Sequence, residues 1–286
     1  MNAITHAASP SRLQVQAGDG HAFELLGFIP AQPVACLLWL PALGVAARHY
    51  QPFAEALARQ GVAVFLHEWR GNGSSNLRPD RTHDWGYKAL LQDDLPAAEA
   101  TIHATLPGLP FRLGGHSLGG QLACCYAGLR QSPLDALWLV ASGTPWWRSF
   151  PAPRGWLLPL AYRFLPWLAQ RTGTLPGRRI GFGGTEARSL IRDWARVGLS
   201  NQYAAAGLQA DLEAGMRDIS APVRALVLDR DWLAPASSMQ QLLAKMPAST
   251  HTLQVLGAAD IGTIADHFHW MKSPQTVAAA LIHHID

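Results

Sequence analysis

The stretch Phe111-Arg112-Leu113-Gly114-Gly115-His116-Ser117-Leu118-Gly119-Gly120 sets one serine midway between two glycines, with an apolar run before it and an Ala/Leu/Cys-rich stretch after it. A serine at such a strand-to-helix turn sits in a strained backbone conformation that pushes its hydroxyl outward. Strand and helix then lie so close that the residues two before and two after must lack side chains, and Gly115 and Gly119 fill those places. Ser117 is therefore the candidate nucleophile. A hydroxyl is a weak nucleophile at neutral pH, so it needs a base, and the base needs an acid to fix its tautomer. In this architecture both follow the serine along the chain, each on a loop just beyond a strand. Asp231 lies in Leu228-Asp-Arg-Asp-Trp-Leu-Ala-Pro235, directly after an apolar run, and His267 lies between the last such run and the closing helix pattern. Asp229 and Asp260 are alternative acids, and His269 is an alternative base. His116 reads as packed or hydrogen-bonded, and Asp94 as a helix-surface or capping carboxylate. Asp266, His267 and His269 have no third well-spaced His or Cys set to complete a zinc site, so neither a metal nor a cofactor is implied.

The elements that must position these groups alternate along the chain. Leu13 to Gln16 and Phe23 to Ile29 flank Gly18-Asp19-Gly20, the pattern of an opening antiparallel hairpin. Val34 to Leu40, Val62 to Leu66, Phe111 onward, Ala136 to Ala141, Val223 to Leu228 and Thr250 to Leu256 are short apolar runs, as of strands buried on both faces. Helical spacing appears between them. Tyr50, Phe53 and Leu57 share a face up to Gly61. Leu91, Leu95, Ala98 and Ile102 share another within Tyr87 to Leu106, where Pro96 marks a kink or the true start. Leu118 to Leu129 is apolar all round and so central, Ala236 to Lys245 is a further helix, and Ser273 to His284 closes the chain. Strands alternating with helices predict right-handed crossovers and a mostly parallel sheet covered on both faces.

That rhythm breaks between residues 145 and 219, which hold no convincing strand and helix-like pieces at Trp156 to Leu168 and Glu186 to Leu199. The economical division is a core of residues 1–144 and 220–286 with a helical cap, residues 145–219, inserted after the sixth strand. Nine arginines, Arg148 through Arg196, face only Glu186 and Asp193 there, a local charge of +7 in a chain of net charge +3. Five of the eleven tryptophans, Trp146, Trp147, Trp156, Trp167 and Trp194, fall in the same segment. Arg188, Arg192 and Arg196 repeat every four residues opposite Leu190, Trp194 and Val197. Three readings follow: the arginines are a solvated face; or the cap selects an acyl substrate with a large apolar part and an anionic group, using Trp146, Trp147, Trp194, Arg188 and Arg192; or the piece Trp156 to Leu168 lies on an anionic membrane surface.

Taken together, the motifs resemble the α/β-hydrolase superfamily over nearly the whole chain from about Leu13, least between residues 145 and 219. Gly-His-Ser-Leu-Gly-Gly at 115–120 resembles the nucleophile turn of its lipases, esterases and thioesterases. Asp231, four residues before Pro235, resembles its acid loop, and His267, seven before Pro274, its terminal histidine motif. Arg70-Gly-Asn-Gly-Ser-Ser75 resembles its Arg-Gly-x-Gly-x-Ser loop. Pro41-Ala-Leu-Gly-Val45, Glu68-Trp-Arg-Gly71 and Ala259-Asp-Ile-Gly262 resemble a narrower branch whose substrates are not established. The resemblance implies a serine hydrolase that cleaves a carboxylic ester or thioester through an acyl-enzyme, with an oxyanion hole from the N–H groups of Leu43 and Leu118. Many relatives carry His-Gly where this chain has Pro41-Ala42, so that loop is its main departure. An amidase, an acyltransferase, a carbon–carbon bond hydrolase and a non-catalytic ligand-binding member are the alternatives.

Bulk composition adds exclusions. At 286 residues and 49% hydrophobic, the chain can bury one large core. The apolar run Val34 to Ala47, 14 residues interrupted by Pro41 and Gly44, is too short to span a bilayer. Met1 to Pro10 lacks the basic cluster and apolar stretch of a secretory signal. The odd count of three cysteines, Cys36, Cys124 and Cys125, suits a reducing compartment, so the expected location is cytoplasmic. The expected partner is a small acyl molecule, with no nucleic acid.

Overall fold

The computed structural model describes residues 10–283, so the leader reading of Met1 to Pro10 and the last residue of the closing helix, His284, lie almost wholly outside them. Among the described residues ten strands occur in chain order: β1 (Ser11–Gln16), β2 (Ala22–Phe28), β3 (Ala35–Leu40), β4 (Val62–Leu66), β5 (Phe111–His116), β6 (Ala136–Val140), β7 (Leu175–Pro176), β8 (Thr185–Glu186), β9 (Val223–Leu228) and β10 (His251–Leu256). Eight form one sheet in the order β1-β2-β4-β3-β5-β6-β9-β10. β1 and β2 are the hairpin, β2 meets β4 antiparallel, and every later pairing is parallel. Helices therefore have to carry the chain back between the parallel strands, and they cover both faces.

Alternation along β3 builds two cores at once. Cys36, Leu38 and Leu40 join the layer of helices Leu95–Thr105 and Leu118–Leu129, while Leu37 and Trp39 join the layer of helices Gln51–Ala58 and Gln275–Ile282. Leu118 through Tyr126 are all buried, which makes the helix after Ser117 the central one. The α-helix proper starts at Leu95, which puts Pro96 in its first turn, in keeping with the reading that the proline marks the true start. A π-helical turn, Leu90–Asp94, widens the helix just before the proline. The missing N–H of Pro96 and its ring, which would press on the preceding turn, are thereby accommodated.

Residues 145–219 are mainly helical, with one departure from the expectation that they hold no strand. The two-residue ladder β7–β8 lies between helices Arg154–Thr172 and Arg188–Ser200, and helix Leu212–Arg217 follows them. The first helix runs through Pro159 and Pro166 and extends beyond the Trp156 to Leu168 piece at both ends. It crosses Arg188–Ser200 closely because Gly198 leaves room for the Tyr162 ring, which meets Trp194 edge-on at 5.0 Å. The chain turns out of Arg188–Ser200 at Asn201, in the left-handed region at φ 57°. Among the described residues no helix is long and apolar enough to cross a membrane.

Candidate active site

Ser117 stands between β5 and helix Leu118–Leu129 with φ 56° and ψ −121°, a region that L-residues rarely occupy. The neighbouring glycines make the turn feasible. A Cβ on Gly119 would run into the Leu40 carbonyl oxygen, and one on Gly115 into the backbone of Gly119. The Ser117 carbonyl accepts from Ser142 Oγ at 2.7 Å, which ties the turn to the end of β6.

Ser117 and His267 line one cavity of about 520 Å³. His267 Nδ1 lies 2.7 Å from Asp231 Oδ2 with both side chains buried, while Asp231 Oδ1 accepts from the N–H groups of Leu233 and Ala234 at 2.9 and 3.0 Å. The carboxylate is thus pinned on one side and turned to the imidazole on the other. The competing groups are occupied elsewhere. Asp260 Oδ2 accepts from Gly257 N–H at 2.7 Å, and Asp266 holds His269 Nδ1 at 2.8 Å. Asp229 is exposed beside Gly257.

Leu43 and Leu118 both line the cavity, and neither backbone N–H donates to another described residue. In the Pro41-Ala42 loop the left-handed conformation falls on Gly44 at φ 72°, so Ala42 needs none. A side chain on Gly44 would collide with Gly183 and Gly184, so the two loops are fitted to each other. Two further bonds hold the loop from below. Trp69 Nε1 donates to the Pro41 carbonyl at 2.8 Å, and Ala42 N–H donates to Tyr50 Oη at 2.9 Å.

Tyr50 is fully buried and also lies 2.7 Å from His116 Nδ1. Burial holds the phenol far above its usual range and, reinforced by His267, keeps the His116 imidazole well below its own. Both groups are neutral and Tyr50 Oη already accepts from Ala42 N–H, so the arrangement that uses the phenol proton has Tyr50 donating to Nδ1 and the His116 proton on Nε2. The His116 ring lies 4.7 Å from that of His267, and Trp270 beneath donates to the His267 carbonyl at 3.1 Å. Neither Tyr50 nor Trp270 was singled out from sequence as a site residue. Their type and helical spacing mark core residues alone.

Asp94 corrects the surface or capping assignment. It is fully buried and takes two hydrogen bonds from Arg70, at 2.8 and 2.6 Å, and one contact of 2.9 Å from His21 Nδ1. Burial pushes its carboxyl up, but those partners hold it below the ordinary aspartate value. The Arg70-to-Ser75 loop is thereby anchored to the start of helix Leu95–Thr105, with Ser75 Oγ on the far nitrogen of His21 at 2.9 Å. The anchoring reaches the site through Trp69.

Of the segment residues singled out for substrate binding, Trp194 lines the cavity, and Trp146, Trp147, Arg188 and Arg192 do not. Helix Arg188–Ser200 turns Leu190, Ile191 and Val197 inward, which leaves its arginines outside. Arg188 faces Asp84 at 3.5 Å, Arg192 reaches Ser189 Oγ, and Arg196 pairs with Asp193 at 3.1 Å. Trp147 stacks under the Arg148 guanidinium instead. The walls come from Thr144, Phe150, Tyr162, Phe182, Trp232 and Phe268 among others, and they include no Asp, Glu, Lys or Arg. Trp232 and Phe268 could have been found, since each follows Asp231 or His267 directly. Tyr162 and Phe182 carry no such signal.

A hydroxyl at a strained turn, an imidazole held by a carboxylate and two unpaired N–H groups on one cavity can carry out acyl transfer. The sheet and site define an α/β hydrolase. The Hydrolase_4 family, described as serine aminopeptidase S33, matches residues 31–259, and the chain belongs to it. It is a hydrolase. A monoglyceride lipase homolog of Monkeypox virus is 34% identical over 74 residues, which span 26% of either chain. Among solved structures, DcsB in complex with its substrate analogue has a TM-score of 0.65 at 15% identity, covering 96% of this chain and 97% of that one. The esterase domain of a Rhodothermus marinus protein has a TM-score of 0.61 at 17% identity over 96% of each chain. A thioesterase domain from the curacin biosynthetic pathway has 0.59 at 17%, covering 96% of this chain and all of that one. At such identities these likenesses are of fold.

Proposed function

We propose that the protein hydrolyses carboxylic esters or thioesters with an apolar acyl group, through an acyl-enzyme on Ser117. In this reading Ser117 Oγ attacks the carbonyl carbon while His267 Nε2 takes its proton. Asp231 keeps the other His267 nitrogen protonated and in line, and the Leu43 and Leu118 N–H groups receive the developing oxyanion. The tetrahedral adduct collapses as His267 returns the proton to the leaving oxygen or sulfur. Water then attacks the acyl-enzyme with His267 again as base, giving the carboxylic acid and free Ser117. The observation that carries the reading is Ser117 at φ 56° on the same cavity as His267, whose Nδ1 lies 2.7 Å from Asp231. In the same reading, residues 145–219 act as the cap, since Leu158, Phe164, Leu165 and Trp194 wall the cavity on that side.

The lining also selects among bonds. An aminopeptidase must hold the substrate's α-ammonium, and an anionic acyl group would want a cation, yet among the described residues the cavity wall has no Asp, Glu, Lys or Arg side chain. A neutral hydrocarbon fits it. With p-nitrophenyl esters, kcat/KM should rise by about fourfold per added methylene until the cavity is filled, as expected for about 0.8 kcal/mol per buried CH₂. Amino-acid arylamides should react slowly, and Ser117→Ala should remove several orders of magnitude from every rate. Preference for a leucine arylamide over a butyrate ester would favour the peptidase chemistry instead.

A further inference from the structure

The outer face of helix Arg154–Thr172 is apolar where solvent-facing helices are ordinarily polar. Trp156, Leu157, Leu160, Phe164 and Trp167 are exposed by 70, 61, 66, 51 and 57%. At helical spacing they share a sector about 100° wide, while Tyr162, Leu165 and Ala169 are buried on the opposite side. Scattered exposed leucines need no explanation, but a contiguous stripe does.

Two features say what covers it. The first is charge. Residues 145–185 contain Arg148, Arg154, Arg163, Arg171, Arg178 and Arg179 and no Asp or Glu. Among the described residues none of the six pairs with a carboxylate, whereas Arg188 and Arg196 on the next helix do. Arg163 donates to the Pro159 carbonyl, and Arg148 and Arg154 lie over the rings of Trp147 and Trp232. The second is continuity with the cavity. Phe164, Ile180, Trp232 and Phe268 line it, yet are exposed by 51, 42, 53 and 43%. The stripe therefore runs into the cavity mouth.

We propose that this face docks on an anionic lipid bilayer, with the helix lying in the interface plane, and that acyl chains pass from the bilayer into the cavity. Trp156 and Trp167 suit the headgroup boundary, and unpaired arginines on the same segment suit phosphate oxygens. A second copy of the chain is a poorer occupant, because a two-fold contact would bring two acid-free arginine clusters together. The acyl-chain part rests on the ester-hydrolase reading; the docking part does not.

Co-sedimentation with vesicles tests it, comparing pure phosphatidylcholine with an equimolar mixture of phosphatidylcholine and phosphatidylglycerol. The full chain should bind the mixture, bind pure phosphatidylcholine weakly, and release as salt is raised. Leu157→Glu with Leu160→Glu, neither of which lines the cavity, should weaken binding at least tenfold while a short soluble ester is turned over at the unaltered rate. Arg163→Gln and Arg171→Gln should each weaken it by about fivefold. The proposal is overturned if the unaltered chain does not bind, if both sets of variants bind as well as it does, or if binding responds to salt but not to the leucines, the mark of an acidic protein partner. A dimer in sedimentation equilibrium that the leucine pair dissociates would overturn it too. Vesicle binding without any ester hydrolysis would uphold the docking and sink the hydrolase reading.

Discussion

Tyr50 joins two loops that meet at the nucleophile, since its hydroxyl accepts from Ala42 N–H and donates to His116, the residue before Ser117. Tyr50→Phe would strand both partners in a buried place, at a cost of about 1–3 kcal/mol in stability. The Leu43 N–H follows directly on Ala42, so the variant should also lose about tenfold to a hundredfold in kcat with KM little changed, as expected of a displaced transition-state donor. Steady-state kinetics on a short activated ester decide it. A raised KM with unaltered kcat would mean that Tyr50 shapes the substrate pocket instead. At this scale sequence reading succeeds where backbone geometry restricts the residue type. Gly115 and Gly119 could be read because no other residue fits between strand and helix. Tyr50, Trp69 and Trp270 could not, because their hydrogen bonds reach across 66, 28 and 3 residues in ways that an apolar pattern does not encode.

Between elements, Glu186 links residues 145–219 to the loop after β3. Its carboxylate accepts from Gly184 N–H at 2.6 Å and faces Gly44 of the loop that presents Leu43. Burial pushes it up to about 7, against the Gly184 N–H and Arg178, which pull it down. An unfolded glutamate ionises near 4.5, so between about pH 4.5 and 7 the folded chain binds more protons. Stability therefore falls as pH rises through that window and levels off above it. Glu186→Gln keeps an oxygen for Gly184 and should remove that loss, a gain on the order of 3 kcal/mol above pH 7 and little near pH 4. Urea unfolding of both proteins across the window checks it; equal pH dependence would place the proton elsewhere. Long strands and central helices were legible from apolar runs, whereas the β7–β8 ladder was not, since two residues hold no period. The charge pattern of Arg188, Arg192 and Arg196 was legible as a face, but not the side it turns to. Inward packing of Leu190, Ile191 and Val197 decided that.

For the whole molecule, the order of buried strands was enough to expect a mostly parallel sheet, because parallel strands demand apolar faces on both sides and crossovers between them. It was also enough to see that Asp231 and His267 emerge on loops beyond strands that follow Ser117. What sequence could not supply is the cavity, whose lining combines residues of 145–219 with loops from distant parts of the chain. The central claim is covalent chemistry at Ser117 inside that cavity. Its most direct test is mass spectrometry of the protein acid-quenched during turnover of p-nitrophenyl butyrate. An adduct of one butyryl group on the peptide containing Ser117, absent from Ser117→Ala, is the predicted result. A butyryl group on another residue, or undiminished turnover by Ser117→Ala, would contradict it.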